Sequence, residues 1–384
     1  MRVEIITFDA DPDRGGFGTR VHSIASMFAQ SAEVNVVRTS WFEGPEIPGV
    51  RYEDVPLKDG LRSRLRRLRT YYKTDFPRRQ AREPPTFTIV ESPDLVGLHQ
   101  YGDDTPLVLD EHNVYWDLLR HEMVNAPFFR TWPGRSRLVQ RWLIPRLLKR
   151  ARAFEQGVLR RATRTLVTSE ADRSRILQEL PELEARVRVL PNCIDLAGIP
   201  IAQGGVEAAT VLFVGNYNFI PNREAAVFIS QTLAPSLPEA KFVLVGADPP
   251  TEAVQAENVS APGYVKDLQG VLATANVCIA PLEHGSGTRL KILTYLAAGK
   301  AVVATTKACE GLEVQDGVHL LIRDDAEAFS AAVRQILADS ALQRRLGSEG
   351  RKLVETKYDW RVYVGWAREF AVEVQEAAGR PGAS

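Results

Sequence analysis

Short runs of Val, Ile and Leu recur along the chain, each followed by a stretch whose apolar residues fall at helical spacing. They read 2–7 (RVEIIT), 33–38 (EVNVVR), 87–91 (FTIVE), 107–110 (LVLD), 165–168 (TLVT) and 187–190 (VRVL). Strands of this kind are buried on both faces, which calls for a parallel sheet with crossover helices on either side. A helix over about 19–30 fills the first crossover. After a Gly-, Pro- and Ile-rich passage, 192–205 (NCIDLAGIPIAQGG), the pattern starts afresh with 210–214 (TVLFV), 241–245 (KFVLV), 277–280 (VCIA) and 301–304 (AVVA). The predicted fold class is therefore α/β, with two doubly wound Rossmann-like domains over 1–200 and 205–364, the linker lying near 195–207. A long helix over 359–377 closes the chain, and the part beyond about 365 is expected to pack back on the first domain. The 384 residues suffice for two cores. Open parallel sheets bind ligands at the carboxyl ends of their strands, so the two domains are expected to face each other across a cleft.

Forty-eight basic residues balance forty-eight acidic ones, which argues against a dedicated nucleic-acid binder. Cys193, Cys278 and Cys309 are odd in number and far apart, so neither a disulfide framework nor a thiolate metal site is expected. The first residues form a strand-like run followed by acids, unlike a signal peptide, and no apolar run approaches the ~20 residues that span a bilayer. The expected location is cytoplasmic. Two stretches are strongly basic. Residues 61–82 hold nine basic side chains and one acid, Asp75, with Leu61, Leu65 and Leu68 at helical spacing. Residues 135–164 carry Trp142, Leu143, Leu147 and Leu148 among their arginines. Both read first as solvated faces of helices packed on a core. The alternative for 61–82 is attraction to an anionic surface: peripheral contact with the inner face of a membrane, or a phosphorylated acceptor.

Four loops carry the chemistry. Asp13–Gly18 (DRGGFG) follows the first strand, and Gly15 and Gly16 let a backbone come close to a ligand ahead of a helix N-terminus. Asp110, Glu111, His112 and Asn113 end an apolar strand, which places a histidine fit for hydrogen bonding or proton transfer among acids. In 213–226 (FVGNYNFIPNREAA) a strand runs into a polar loop, and Pro221–Asn222 opens a helix. In 280–305 a donor-rich loop, Gly285, Ser286, Gly287 and Thr288, precedes Arg289 and Lys291 at a helix start. Backbone amides, a helix N-terminus and two cations within ten residues make a diphosphate site.

Taken in order, RGGFGTR, LDEHNVYW, TLVTSEADRSRI, VRVLPNCIDL, VLFVGNYNFIPNREAAVFI, KFVLVGADP, VSAPGYVKDLQGVLATANVCIAPLEHGSGTRLKILTYLAAGKAVVAT and CEGLEVQDGVHLLI resemble the GT-B fold glycosyltransferases of family GT4 (glycosyl transferases group 1). The resemblance is weakest over 41–106 and most specific in the last long block. It implies a metal-independent, hexosyltransferase-like transfer, retaining at the anomeric carbon, from a nucleotide-diphosphate sugar and with no other cofactor. A UDP- or GDP-sugar is the expected donor. It also implies that Gly215, Asn216 and Asn222 lie in the first donor loop and Tyr264 and Val265 beside the base. Glu283, Gly285, Ser286, Gly287, Thr288 and Thr294 would surround the phosphates and sugar, and Arg289 and Lys291 would stabilise the leaving diphosphate. Gly15, Gly16 and Asn113 would belong to the acceptor side, with His112 hydrogen-bonding the donor sugar or orienting the acceptor.

The chain departs from the family pattern at two places. The glutamates of E-x7-E are replaced by Ser286 and Thr294, and Asn216 stands where the first donor loop usually has arginine. The diphosphate charge then falls mainly to Arg289, Lys291, Arg223 and helix N-termini. Expected partners are the nucleotide sugar and a glycan, lipid-linked saccharide or small-molecule acceptor. Two other functions fit the same architecture: a binding or accessory protein that kept the fold and lost catalysis, and a nucleotide-sugar epimerase or phosphorylase. For an epimerase, Asp110, Glu111 and Glu283 are the acid/base candidates.

Overall fold

The computed structural model describes residues 1–8, 10, 16–39, 46–55, 83–102, 104–114, 116, 137–202, 209–284 and 288–379. The basic stretch 61–82, Gly15, Gly285, Ser286 and Gly287 lie outside the described residues, as do the side chains of Trp142 and Leu143. The chain divides into two units. One is Met1–Pro191 together with Tyr363–Ser384, and the other is Asn192–Val362.

In the first unit seven strands form one all-parallel sheet: β1 (Arg2–Thr7), β2 (Glu33–Arg38), β3 (Arg51–Asp54), β4 (Phe87–Val90), β5 (Leu107–Glu111), β6 (Arg164–Val167) and β7 (Val187–Val189). Their spatial order is β3-β2-β1-β4-β5-β6-β7. The order reverses between β1 and β4, where Ile5 of β1 is flanked by Val36 on one side and Ile89 on the other. Helices α1 (Gly16–Ala29), α2 (Arg137–Arg161) and α3 (Glu170–Glu179) belong to this unit. Helix α1 starts three residues ahead of the predicted Thr19, taking Gly16 into its first turn. The N-cap of α3 is Ser169, whose hydroxyl accepts from Asp172 N at 3.1 Å, a capping bond worth about 1 kcal/mol.

The second unit repeats the plan with β8 (Thr210–Val214), β9 (Lys241–Val245), β10 (Val259–Gly263), β11 (Val277–Ala280), β12 (Ala301–Ala304) and β13 (Leu321–Ile322). The order β10-β9-β8-β11-β12-β13 reverses between β8 and β11. Its helices are α4 (Ile220–Phe228), which continues through a π-turn over Ile229–Leu233, α5 (Leu268–Thr274), α6 (Leu290–Ala297), α7 (Ala326–Ala338) and α8 (Ser340–Lys357). The core is continuous around β8, β11 and β12, where Leu212, Phe213, Ile279, Val302 and Val303 have no exposed surface. The last helix, α9 (Val364–Ala378), returns to the first unit. There Glu373 accepts from Arg164 Nε at 2.6 Å and Arg188 Nη2 at 2.6 Å.

Two features differ from the sequence expectation. The division falls at Asn192, several residues ahead of the predicted linker, because Ile194 is already paired within the second unit: its N–H donates to Tyr358 O at 2.9 Å and its carbonyl accepts from Trp360 N at 3.3 Å. Strands β3, β10 and β13 were not expected. All three are sheet edges, and their sequences, RYED, VSAPG and LI, are polar, proline-bearing or very short. An edge strand needs no apolar run on both faces, so it leaves no such mark in the sequence.

Candidate active site

At the reversal point of the second sheet, β8 ends at Val214, and its N–H donates to the Tyr295 hydroxyl of α6 at 2.8 Å. The chain then turns through Gly215, whose N–H donates to Val245 O at 2.9 Å, and enters α4 at Ile220 with Pro221 in the first turn. Asn222, in that same turn, folds back over the loop, its Nδ2 donating to Asn216 O at 2.8 Å. A side chain at position 215 would collide with it: a Cβ there would lie 2.9 Å from Asn222 Cγ. Across the gap between the strands, Lys291 Nζ donates to Asn222 Oδ1 at 2.6 Å and sits 4.1 Å from the centre of the Phe213 ring. Arg289, the residue capping α6, is 9% exposed and donates from Nη2 to His284 O at 3.2 Å.

The electrostatics of this corner run against stability. Both cations lie at the positive end of a helix dipole, where acids are favoured. Burial pushes the Lys291 ammonium well below its ordinary range, and the charge of Arg289 adds to the shift. Burial lowers Arg289 as well, offset in part by Glu310. The partners of Lys291 are a neutral amide and an aromatic face. Each is worth about 1–3 kcal/mol to a buried cation, less than the several kcal/mol that desolvating one costs. An incoming polyanion would remove the deficit.

The other residues expected on the donor side are placed differently. The hydroxyl of Thr288 is buried with no hydrogen-bond partner among the described residues, at the mouth of α6. Thr294 donates its hydroxyl to Leu290 O at 3.1 Å, and Asn216 Oδ1 accepts from Asn218 N at 3.0 Å, so both side chains are engaged locally. Glu283 is exposed. Arg223, exposed, pairs with Glu252 at 3.4 Å. Tyr264, 65% exposed, and half-buried Val265 follow β10, two strands away from β8.

The first unit has its own cluster at the corresponding reversal. Asp110 and Glu111 end β5, and alternation sends their side chains to opposite faces. Asp110 accepts from Arg20 of α1 twice, Nε at 2.6 Å and Nη2 at 2.5 Å, while Arg20 Nη1 donates to Leu190 O at 2.9 Å. His112, 7% exposed, brings Nε2 to 2.5 Å from Glu91 Oε2 and 3.1 Å from Asp110 Oδ2. Its ring is stacked on Phe17, centroids 4.0 Å apart and planes within 17°. Gly16 is exposed in the first turn of α1, and Asn113 is half-buried beside His112. Burial pushes the Asp110 carboxyl up, but the charges of Arg20 and His112 outweigh it and hold the group far below the usual carboxylate range. Burial and Asp110 together push Glu91 up to about 8 against the pull of His112. Burial lowers His112, but Asp110 and Glu91 prevail and its value is raised. Ligand atoms of Glu91, Asp110 and His112 lie within 4.8 Å of one another, as in a metal site. Both Asp110 oxygens are already taken by Arg20, however, so a cation there would have to displace a buried guanidinium. The donor set fits an ion-pair network better than a metal. On the other face, burial and the neighbouring Glu155 push Glu111 well above its ordinary value.

Residues 14–197 match the model of Glycosyltransferase Family 4, and residues 208–339 match that of Glycosyl transferases group 1. The chain is a GT4-like glycosyltransferase of the GT-B fold. Solved structures agree on the fold. Sucrose-phosphate synthase from Thermosynechococcus elongatus is 18% identical, with a TM-score of 0.70 over 98% of this chain and 100% of that one. Anabaena HepE in complex with UDP and glucose is 14% identical, with a TM-score of 0.67 over 97% and 99% of the two chains. WaaG, a glycosyltransferase involved in lipopolysaccharide biosynthesis, is 16% identical, with a TM-score of 0.64 over 97% and 99%. No match is found among curated proteins.

In this glycosyltransferase the structure brings Gly215, Asn216, Asn222, Arg289 and Lys291 into one corner, while Tyr264 and Val265 follow Gly263, whose carbonyl accepts from Gly246 N at 2.9 Å. Five participants escaped the sequence reading: Phe213 and Tyr295 in the second unit, and Phe17, Arg20 and Glu91 in the first. Glu91 had a signal, since an acid closing a run of four buried apolar-strand residues is costly unless something meets it. No helix among the described residues is long and apolar enough to cross a membrane.

Proposed function

We propose that this glycosyltransferase moves a sugar from a UDP- or GDP-sugar to a glycan, lipid-linked saccharide or small-molecule acceptor, with retention at the anomeric carbon. The observation that carries the reading is the pair of desolvated cations, Arg289 and Lys291, at the first turn of α6 beside the reversal of an all-parallel sheet. That HepE was solved with UDP, glucose and UDP-glucose supports a nucleotide-sugar donor. As the bond from C1 to the phosphate oxygen breaks, charge gathers on the diphosphate, and Arg289, Lys291 and the amides at the start of α6 stabilise it. The acceptor oxygen bonds to C1 on the same face, and its proton passes to the departing phosphate, so no separate protein base is required. Gly215 and the Gly285–Thr288 loop would sit against the donor, with Tyr264 and Val265 at its base. Asn216, Asn222 and Thr294 would shape that site rather than bond the sugar, given their local engagements. In the first unit, His112 is assigned to hydrogen-bonding a sugar hydroxyl, with Gly15, Gly16 and Asn113 on the acceptor side.

The test is a thermal-shift series with UDP- and GDP-sugars, followed by transfer assays and NMR of the product anomer. A donor at a hundred times its Kd should add about 2.7 kcal/mol to the unfolding free energy. Stabilisation by one nucleotide sugar and an anomer matching the donor are the expected results. A chain that no nucleotide sugar stabilises, or a product of inverted configuration, refutes the proposal.

A further inference from the structure

We infer that Glu91 is the positioning residue for His112: it takes up the Nε2 edge of the ring so that Nδ1 carries a proton and meets the substrate as a hydrogen-bond donor. The inference rests on the assignment of His112 to the reaction. Four groups decide the protonation of the ring: Arg20 of α1, Asp110 of β5, and Glu91 with His112 itself, while Phe17 of α1 fixes its plane. Asp110 is held as an anion by Arg20 through both oxygens, and its Oδ2, 3.1 Å from Nε2, also favours the protonated ring. Glu91 differs. It has no exposed surface, its Oε1 has no hydrogen-bond partner among the described residues, and its Oε2 faces the imidazole at 2.5 Å.

Burial of a carboxyl against an imidazole favours a second proton on the pair, beyond the one the ring always carries. If it lies on the ring, carboxylate faces imidazolium. If it lies on Glu91, the acid donates to a bare Nε2. In both arrangements Nε2 is committed to Glu91 and Nδ1 bears hydrogen. Only when this proton leaves does the ring become a neutral tautomer that donates from Nε2 and accepts at Nδ1, reversing its polarity toward a sugar hydroxyl. The upward shifts of Glu91 and His112 support a proton retained through neutral pH. The stack on Phe17 keeps the ring from turning to offer the other nitrogen.

The experiment is ¹⁵N NMR of the histidine rings of the full chain across pH 6–9, with His112 identified by loss of its signals in His112→Gln. In the wild type the His112 nitrogens are expected to hold the doubly protonated or hydrogen-bonded pattern to above pH 7.5. In Glu91→Gln, which keeps the shape and removes the charge, they are expected to titrate about one pH unit or more lower, a tenfold weaker hold on the proton. The alkaline limb of kcat/KM should move with them, and Glu91→Asp should recover part of the shift. Should the Gln variant fail to fold, Asp alone still tests the idea, since lengthening the contact must lower the titration midpoint. A His112 titration unaltered in both variants overturns the inference. A shifted titration with transfer rates unchanged upholds the Glu91–His112 pairing and overturns instead the role of His112 in the reaction.

Discussion

Replacing Lys291 by methionine separates a cation kept for the ligand from one kept for the fold. The substitution preserves the length of the side chain and its contact with the Phe213 face, 4.1 Å from the ammonium in the wild type. It removes the 2.6 Å bond to Asn222 Oδ1, leaving that acceptor short of a partner at a cost of about 1–3 kcal/mol. Against that stands the relief of a desolvated charge close to Arg289, on the order of several kcal/mol before partners are counted. The relief at least offsets the loss, so the free protein should be unchanged or more stable by about 1 kcal/mol. For a unit of this size that is roughly 2–4 °C in Tm. Toward the transition state there is no such offset. Loss of one charge-assisted bond to a developing diphosphate oxygen costs about 3–4 kcal/mol, or roughly 10²–10³ in kcat/KM. Calorimetric unfolding of the unliganded variant and a nucleoside-diphosphate release assay measure the two quantities. Activity within threefold of wild type would refute the diphosphate assignment. So would a large drop in Tm, since Lys291 would then be holding the fold.

Lys291 also sets a pH dependence. Its folded value is depressed, so between that value and 10.5 the unfolded chain binds the extra proton, and stability should rise as pH climbs through the window. Lys291→Met should flatten that rise in alkaline unfolding curves. Gly246→Ala should cost at least about 3 kcal/mol in denaturant unfolding, because φ is +142° there and a Cβ would lie 1.7 Å from Gly215 O, a backbone atom that cannot move aside. Glu373→Ala should lower the stability of the first unit by about 1–2 kcal/mol, seen as a lower Tm, since one carboxylate serves both Arg164 and Arg188 in a partly shielded network.

The strands that could be read in advance are those squeezed between two layers of helix. The sequences at β8, β11 and β12 admit almost no polar residue on either face, and their limits in the fold match the apolar runs to within a residue. Solvent on one side frees the edges β3, β10 and β13 from that constraint. In the site, Arg289 and Lys291 were legible because they share a loop and a helix start. Glu91 and Arg20 were not. Glu91 meets His112 across 21 residues of chain, and Arg20 meets Asp110 across 90, so nothing local marks either as a partner. The division at Asn192 leaves no local mark for the same reason: Ile194, beside it, is matched by Tyr358 and Trp360 from far downstream.

That pairing near Ile194 makes the second unit a guest inserted into the chain of the first. Its entry and exit segments meet in a single parallel bridge, Ile194 with Asp359, tied further by Arg361 Nη1 to Asp195 at 2.9 Å. Synthesis on a ribosome therefore meets the host's seven strands first, but the host must wait for α9, and for Glu373 in particular, until the whole guest has emerged. The guest, once past Trp360, has everything it requires to close on itself. The unit begun first is thus finished last, and an excised Asn192–Val362 fragment is the piece of this enzyme best suited to be made alone.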